Sequence, residues 1–142
     1  MPLKITRVVG RLKKKVIAPI RVWKSKPLGF SQAILCEGRK LLFISGQVGI
    51  KSTGEVVSEP EGQIVQAFEN LKNILEEAGA GFENVVKLTT YLIDMKLLPL
   101  YQEIRSKYIK DIMKEYPAST VVEVKGLARK ELVVEIEAIA IL

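Results

Sequence analysis

Leu132-Val133-Val134-Glu135-Ile136-Glu137-Ala138-Ile139-Ala140-Ile141 is the stretch on which the fold turns. In an extended strand successive side chains point to opposite faces. Val134, Ile136, Ala138 and Ala140 therefore fill one face. Glu135 and Glu137 share the other, where Val133, Ile139 and Ile141 leave it too apolar to meet water alone. A strand of this kind needs cover on both sides: helices of its own chain on one, and another subunit on the other.

Upstream, residues 119–124 alternate in the same way and read as the preceding strand, with Pro117 barring a helix from running into it. Before Pro117, Leu97, Tyr101, Ile104, Tyr108 and Ile112 recur at helical spacing, with Asp94 as a cap. Val85, Val86, Leu88, Thr90, Tyr91, Leu92 and Ile93 are rich enough in β-branched and aromatic residues for a central strand. An earlier helix carries Ile64, Phe68, Leu71, Leu75 and Ala78 at steps of four and three, stopped by Gly79 and Gly81. Ser58 and Glu61 have capping-box spacing around Pro60, and Ser52-Thr53-Gly54 supplies a turn before them.

Toward the N-terminus, Gln32 to Cys36 and Leu41 to Ile44 flank a turn at Glu37 to Arg39 and read as a hairpin. Val16, Ile17, Ile20, Val22 and Trp23 suggest one earlier strand interrupted by Pro19; the first fifteen residues carry no assignable pattern. The order β-β-α-β-α-β-β predicts an α+β domain, a mixed sheet with two helices packed on one face.

With 142 residues the chain is long enough for one domain that buries roughly two-thirds of its unfolded surface. Cys36 is the only cysteine, so no internal disulfide forms, and no apolar leader segment is evident; the expected location is cytoplasmic, with no membrane partner. Cys36 sits in an apolar run without an activating partner and reads as packing. Histidine is absent, which removes the commonest general base and metal ligand, so neither a metal nor a cofactor is expected.

The net charge of +6 is unevenly placed. Lys4, Arg7, Arg11, Lys13, Lys14, Lys15, Arg21, Lys24 and Lys26 precede the first acid, Glu37, and the rest of the chain is mildly acidic. The plain reading of this arm is a solvated basic segment, since Trp23 alone interleaves the charges. Nucleic-acid or anionic-membrane attraction and a transit peptide are the alternatives. Residues 1–26 read as a basic extension and residues 27–142 as the domain.

Gly29-Phe30-Ser31-Gln32-Ala33, Phe43-Ile44-Ser45-Gly46-Gln47, Thr53-Gly54-Glu55, Asn84-Val85-Val86-Lys87, Pro117-Ala118 and Glu135-Ile136-Glu137-Ala138 together resemble the YjgF/RidA family, in the same order and near-identical spacing from Gly29 onward. The resemblance implies a chorismate-mutase-like fold, a homotrimer with intersubunit clefts, and ligands that are small carboxylic acids or imines. In the founding subgroup it implies hydrolysis of enamines and imines to 2-oxo acids and ammonia. By the same resemblance Glu135 is the catalytic carboxylate that holds the attacking water, and Ser45 and Gly46 line the cleft. Phe30 stands where the family has a tyrosine, Gln102 where it has an asparagine, and Ser119 where it has the arginine that clamps the substrate carboxylate.

A neutral hydroxyl cannot reproduce a bidentate guanidinium contact, so enzyme status is open. Ser119 and Thr120 either hydrogen-bond a neutral ligand or are ordinary strand residues. Arg105 and Lys107 are candidate replacements for the lost charge, and Glu137 reads as a solvent-facing neighbour. A rival of another class is an RNA-binding protein or endoribonuclease-like translation inhibitor using nucleic-acid contacts through the basic N-terminus; the lack of histidine weighs against cleavage. A third is a scaffold that binds through residues 1–26 without chemistry.

Overall fold

The structure is a computed structural model and describes residues 13–112 and 114–142. Among the described residues, six strands and two α-helices follow one another: β1 (Lys13–Ile17), β2 (Ala33–Glu37), β3 (Leu41–Val48), α1 (Pro60–Glu77), β4 (Val85–Leu92), α2 (Leu98–Ile109), β5 (Ala118–Glu123) and β6 (Val134–Ile141). The main sheet has the order β3-β6-β4-β5, with β6 antiparallel to both neighbours and β4 parallel to β5. The expected α+β class and mixed sheet are present.

The parity read from β6 holds. Val134, Ile136, Ala138 and Ala140 are buried and belong to the core, joined by Leu88 and Leu92 from β4 and Ile44 from β3. Helix α1 packs on β3 and β6, and α2 packs on α1. Ile64, Phe68, Leu71 and Leu75 are fully buried along one side of α1, as their spacing requires. Phe68 stacks on Tyr108 at 4.9 Å and on Tyr101 at 5.9 Å between ring centroids, with Phe82 tilted against it at 6.3 Å.

Several local expectations are corrected. Glu37 to Arg39 do not close a hairpin: β2 pairs with β1 and β3 pairs with β6. Arg39 N and Lys40 N both donate to the Leu142 carbonyl, so the backbone groups of this turn are spent on the end of the chain. Gly38 lies so close to Ile141 that a Cβ there would fall 2.6 Å from its Cγ1. Ile141 is thereby buried, and Val133 packs partly against the core, so neither builds the open sheet face. That face is apolar through Leu41 and Phe43, 60% and 70% exposed, beside Ile139.

The earliest strand is shorter than its apolar residues suggest. It ends at Ile17, and beyond it Val22 N donates to the Pro19 carbonyl in a turn that leaves Ile20 and Trp23 exposed. The proline lacks the N–H that a paired strand needs. The capping box between Ser58 and Glu61 does not form. Pro60 occupies the first helical turn and holds Glu59 in an extended conformation, so Glu59 is the N-cap and makes no side-chain cap bond. Asp94 does cap, but it caps a 3-10 turn at Met95–Leu97 by accepting from Lys96 N at 2.8 Å; α2 follows and stops at Ile109, which leaves Ile112 outside the helix and exposed.

Phe68 joins both helices to the sheet, so Phe68→Ala should cost about 3–5 kcal/mol of unfolding free energy, measured by urea denaturation at fixed protein concentration. A loss below about 1 kcal/mol would show that the aromatic cluster is not what closes the core.

Candidate functional site

The site begins at an irregularity in β3. Ile44 pairs with Ala138 and Gln47 with Ile136, so β3 holds one residue more than β6 across this interval, a bulge at Ser45-Gly46. Bulges re-aim side chains, and here the bulge brings Gly46 against Glu135. A Cβ at Gly46 would lie 2.6 Å from Glu135 Cδ, so only a residue without a side chain lets the carboxylate rest there. Ser45 is exposed beside it, its carbonyl accepting from Gln47 Nε2 at 3.1 Å. Ser45, Gly46 and Glu135 are thus brought together.

The face that carries Glu135 continues as a polar strip across β4 and β5. Tyr91 lies opposite Glu135 and donates its hydroxyl to Glu137 Oε1 at 2.7 Å; this hydrogen bond, with desolvation behind it, raises the phenol above its ordinary range. Glu137 therefore has a partner and is more than a solvent-facing neighbour. Lys87 donates to Thr120 Oγ1 at 2.7 Å, and burial lowers its ammonium despite the opposing charge of Glu137. Tyr91 and Lys87 were not singled out as site residues. Their shared parity with Thr89 along β4 is the signal that could have found them, once β6 was placed alongside.

A second group forms on the other side. Ser31 bridges to Ala118 in parallel fashion, its N–H donating to the Pro117 carbonyl at 3.1 Å and its Oγ to the Tyr116 carbonyl at 2.5 Å. The Gly29-Phe30-Ser31 block is thereby docked on Pro117-Ala118. Phe30 is half-buried and lines a groove of about 490 Å³ with Trp23, Ser31 and Tyr116. Ser119 pairs with Leu88 on the helix side of the sheet, and its Oγ is buried without a hydrogen-bond partner. Arg105 reaches from α2 to the same block, with Nη2 donating to the Leu28 carbonyl at 3.1 Å. Gln102 is exposed on α2, and Lys107 pairs with Glu103 at 3.9 Å in solvent.

Adjacent strand residues point apart, so Ser119 and Thr120 do not face one ligand from one side. Ser119 shares a face with Leu88 and Ala138, whereas Glu135 occupies the opposite face three residues further along β6. Within one subunit the catalytic candidate and the Ser119 group are separated by the sheet. Among the described residues, no group of three or more His, Cys, Asp or Glu could hold a metal ion, and no helix is long and apolar enough to cross a membrane.

The family model described as endoribonuclease L-PSP matches residues 25–142. A RutC family protein from Aquifex aeolicus is 44% identical over 117 residues, covering 81% of this chain and 90% of that protein. The human 2-iminobutanoate/2-iminopropanoate deaminase is 37% identical over 114 residues, covering 79% of each. Among solved structures, the Rid-family protein YyfB from Yersinia pestis superposes with a TM-score of 0.82 at 34% identity, covering 91% of this chain and 98% of that one. The match over nearly the whole domain, with the Ser45-Gly46 bulge and the Glu135 strand in place, shows that the chain belongs to the endoribonuclease L-PSP family, that is, the YjgF/RidA family.

Proposed function

We propose that the protein is a homotrimer that takes small carboxylates and imines into clefts between subunits and hydrolyses the imines to 2-oxo acids and ammonia. The observation that carries this reading is the Glu135 carboxylate resting on Gly46 beside the exposed Ser45. A carboxylate so placed holds a water, takes one proton from it as the oxygen adds to the imine carbon and passes that proton to the nitrogen; it then carries the hydroxyl proton of the resulting carbinolamine to the nitrogen as the C–N bond breaks, which releases ammonia and leaves the carbonyl. One water is consumed and no oxidant or reductant is needed.

The same geometry supports assembly. Glu135 and Ser119 lie on opposite faces of one sheet, so a cleft that uses both draws them from neighbouring subunits. Leu41 and Phe43 give the open sheet face the apolar surface that such a neighbour would cover. The human and mouse relatives named as imine deaminases support the reaction class. The RNA-directed alternative rests on the exposed Lys13, Lys15, Arg21, Lys24 and Lys26, and binding through them would weaken steeply with salt. Lys13 pairs with Glu37, and Lys14 is drawn to the Glu83 carbonyl, so part of this arm is docked on the domain.

With imines generated in situ by an amino-acid oxidase, wild type should accelerate hydrolysis, and Glu135→Ala should lower the rate by about 10²-fold or more. Equal rates for wild type, variant and buffer would rule the reaction out. By sedimentation equilibrium the wild type should have three times the chain mass, and Phe43→Asp should shift it toward one; a monomeric wild type would contradict the assembly.

A further inference from the structure

Glu135 and Glu137 emerge from the same face of β6 two residues apart, roughly 7 Å along the strand. Flexible side chains at that separation can meet, and two carboxylates that meet share one proton, which occupies both. A base that has to accept a proton from water is out of service in that state. The two carboxylates have different surroundings. Glu135 rests on Gly46 and has no hydrogen bond or ion pair on its carboxylate among the described residues. Glu137 accepts the Tyr91 hydroxyl at 2.7 Å, and its charge acts on the Lys87 ammonium.

The strand register gives Tyr91 this choice of partner. Tyr91 lies opposite Glu135, whereas the residue opposite Glu137 is Thr89. The ring therefore runs diagonally, from the level of Glu135 to the carboxylate of Glu137, a reach that aromatic side chains have across an antiparallel pair. Lys87 pairs with Ile139, one step further along, so it stands on the side of Glu137 away from Glu135. Glu137 is thus held between a hydroxyl and an ammonium. The neighbouring strands pair no further charge with this stretch: β3 places Val48 opposite Glu135, and β5 places Val122 opposite Tyr91 and Thr120 opposite Thr89. The hydrogen bond to Glu137, then desolvation, then the charges of both carboxylates raise the Tyr91 phenol, so it stays protonated and remains a donor.

We propose that Tyr91 is a positioning residue for Glu135: by holding Glu137 on the Lys87 side it keeps the two carboxylates from sharing a proton and leaves Glu135 to act on water. Tyr91 touches no reacting atom, and Glu137 transfers no proton. This deepens the proposed function and rests on it, since the carboxylate kept available is the one that reading uses as the base.

The test compares the full chain with Tyr91→Phe, which keeps the ring, and with Tyr91→Phe/Glu137→Ala, which also removes the second carboxylate. With imines generated in situ by an amino-acid oxidase, Tyr91→Phe should lower kcat about tenfold or more with KM changed less than about twofold, and the double variant should regain most of the loss. A tyrosine that only packed would not have its loss repaired by a change at Glu137. Independently of activity, carbon-13 titration of the glutamate carboxyls should give Glu135 and Glu137 separate one-proton curves in wild type and one shared two-step curve in Tyr91→Phe. Wild-type kcat in Tyr91→Phe, a double variant no faster than Tyr91→Phe, or identical carboxyl curves in wild type and Tyr91→Phe would each overturn the proposal. A wild type that accelerates no hydrolysis but shows the carboxyl curves described would overturn the proposed reaction and leave the restraint of Glu137 by Tyr91 standing.

Discussion

Everything in this molecule hangs on the parity of β6, a strand hydrogen-bonded on both edges. Held between β3 and β4, it cannot slip by one residue without turning Val134, Ile136, Ala138 and Ala140 out of the core and Glu135 and Glu137 into it. Burial of the even-numbered side chains therefore fixes where the carboxylates emerge. The bulge at Ser45-Gly46 then adds the local adjustment, giving Glu135 a backbone surface to rest on where another side chain would stand.

The two faces of the sheet divide the chemistry. One carries the carboxylates, with Tyr91 and Lys87 arranged beside them, and the other leads through Ser119 and Thr90 to Tyr101 and Arg105. A separation of this kind makes association a requirement of the proposed site. The exposed Phe43 and Leu41 belong to the same face as the carboxylates, so the apolar contact that would join subunits and the group that would activate water share one strand pair.

Elements whose pattern repeats within one segment were legible in the sequence. The stripe of α1 and the alternation of β6 are set by their own residues meeting one core, and each appears where its spacing puts it. What escaped depends on partners distant along the chain. The false hairpin at Glu37 to Arg39 has a plausible turn composition, yet its amides are taken by the Leu142 carbonyl, about a hundred residues away. Pro60 displaced the N-cap by one residue, from Ser58 to Glu59. For the site, family likeness pointed to Ser45, Gly46 and Glu135, and the structure gathers these. The burial of Arg105 and the separation of Ser119 from Thr120 follow from packing and register, which no linear motif records.

The most direct test of the central claim, that one ligand spans groups from both faces of the sheet, is amide chemical-shift mapping of the isotope-labelled protein titrated with 2-oxobutanoate. The account predicts that Gly29 to Ser31 and Ser119 shift together with Ser45, Gly46 and Glu135, along a single binding curve. Shifts confined to one of these groups, or to the groove lined by Trp23 and Tyr116, would contradict it.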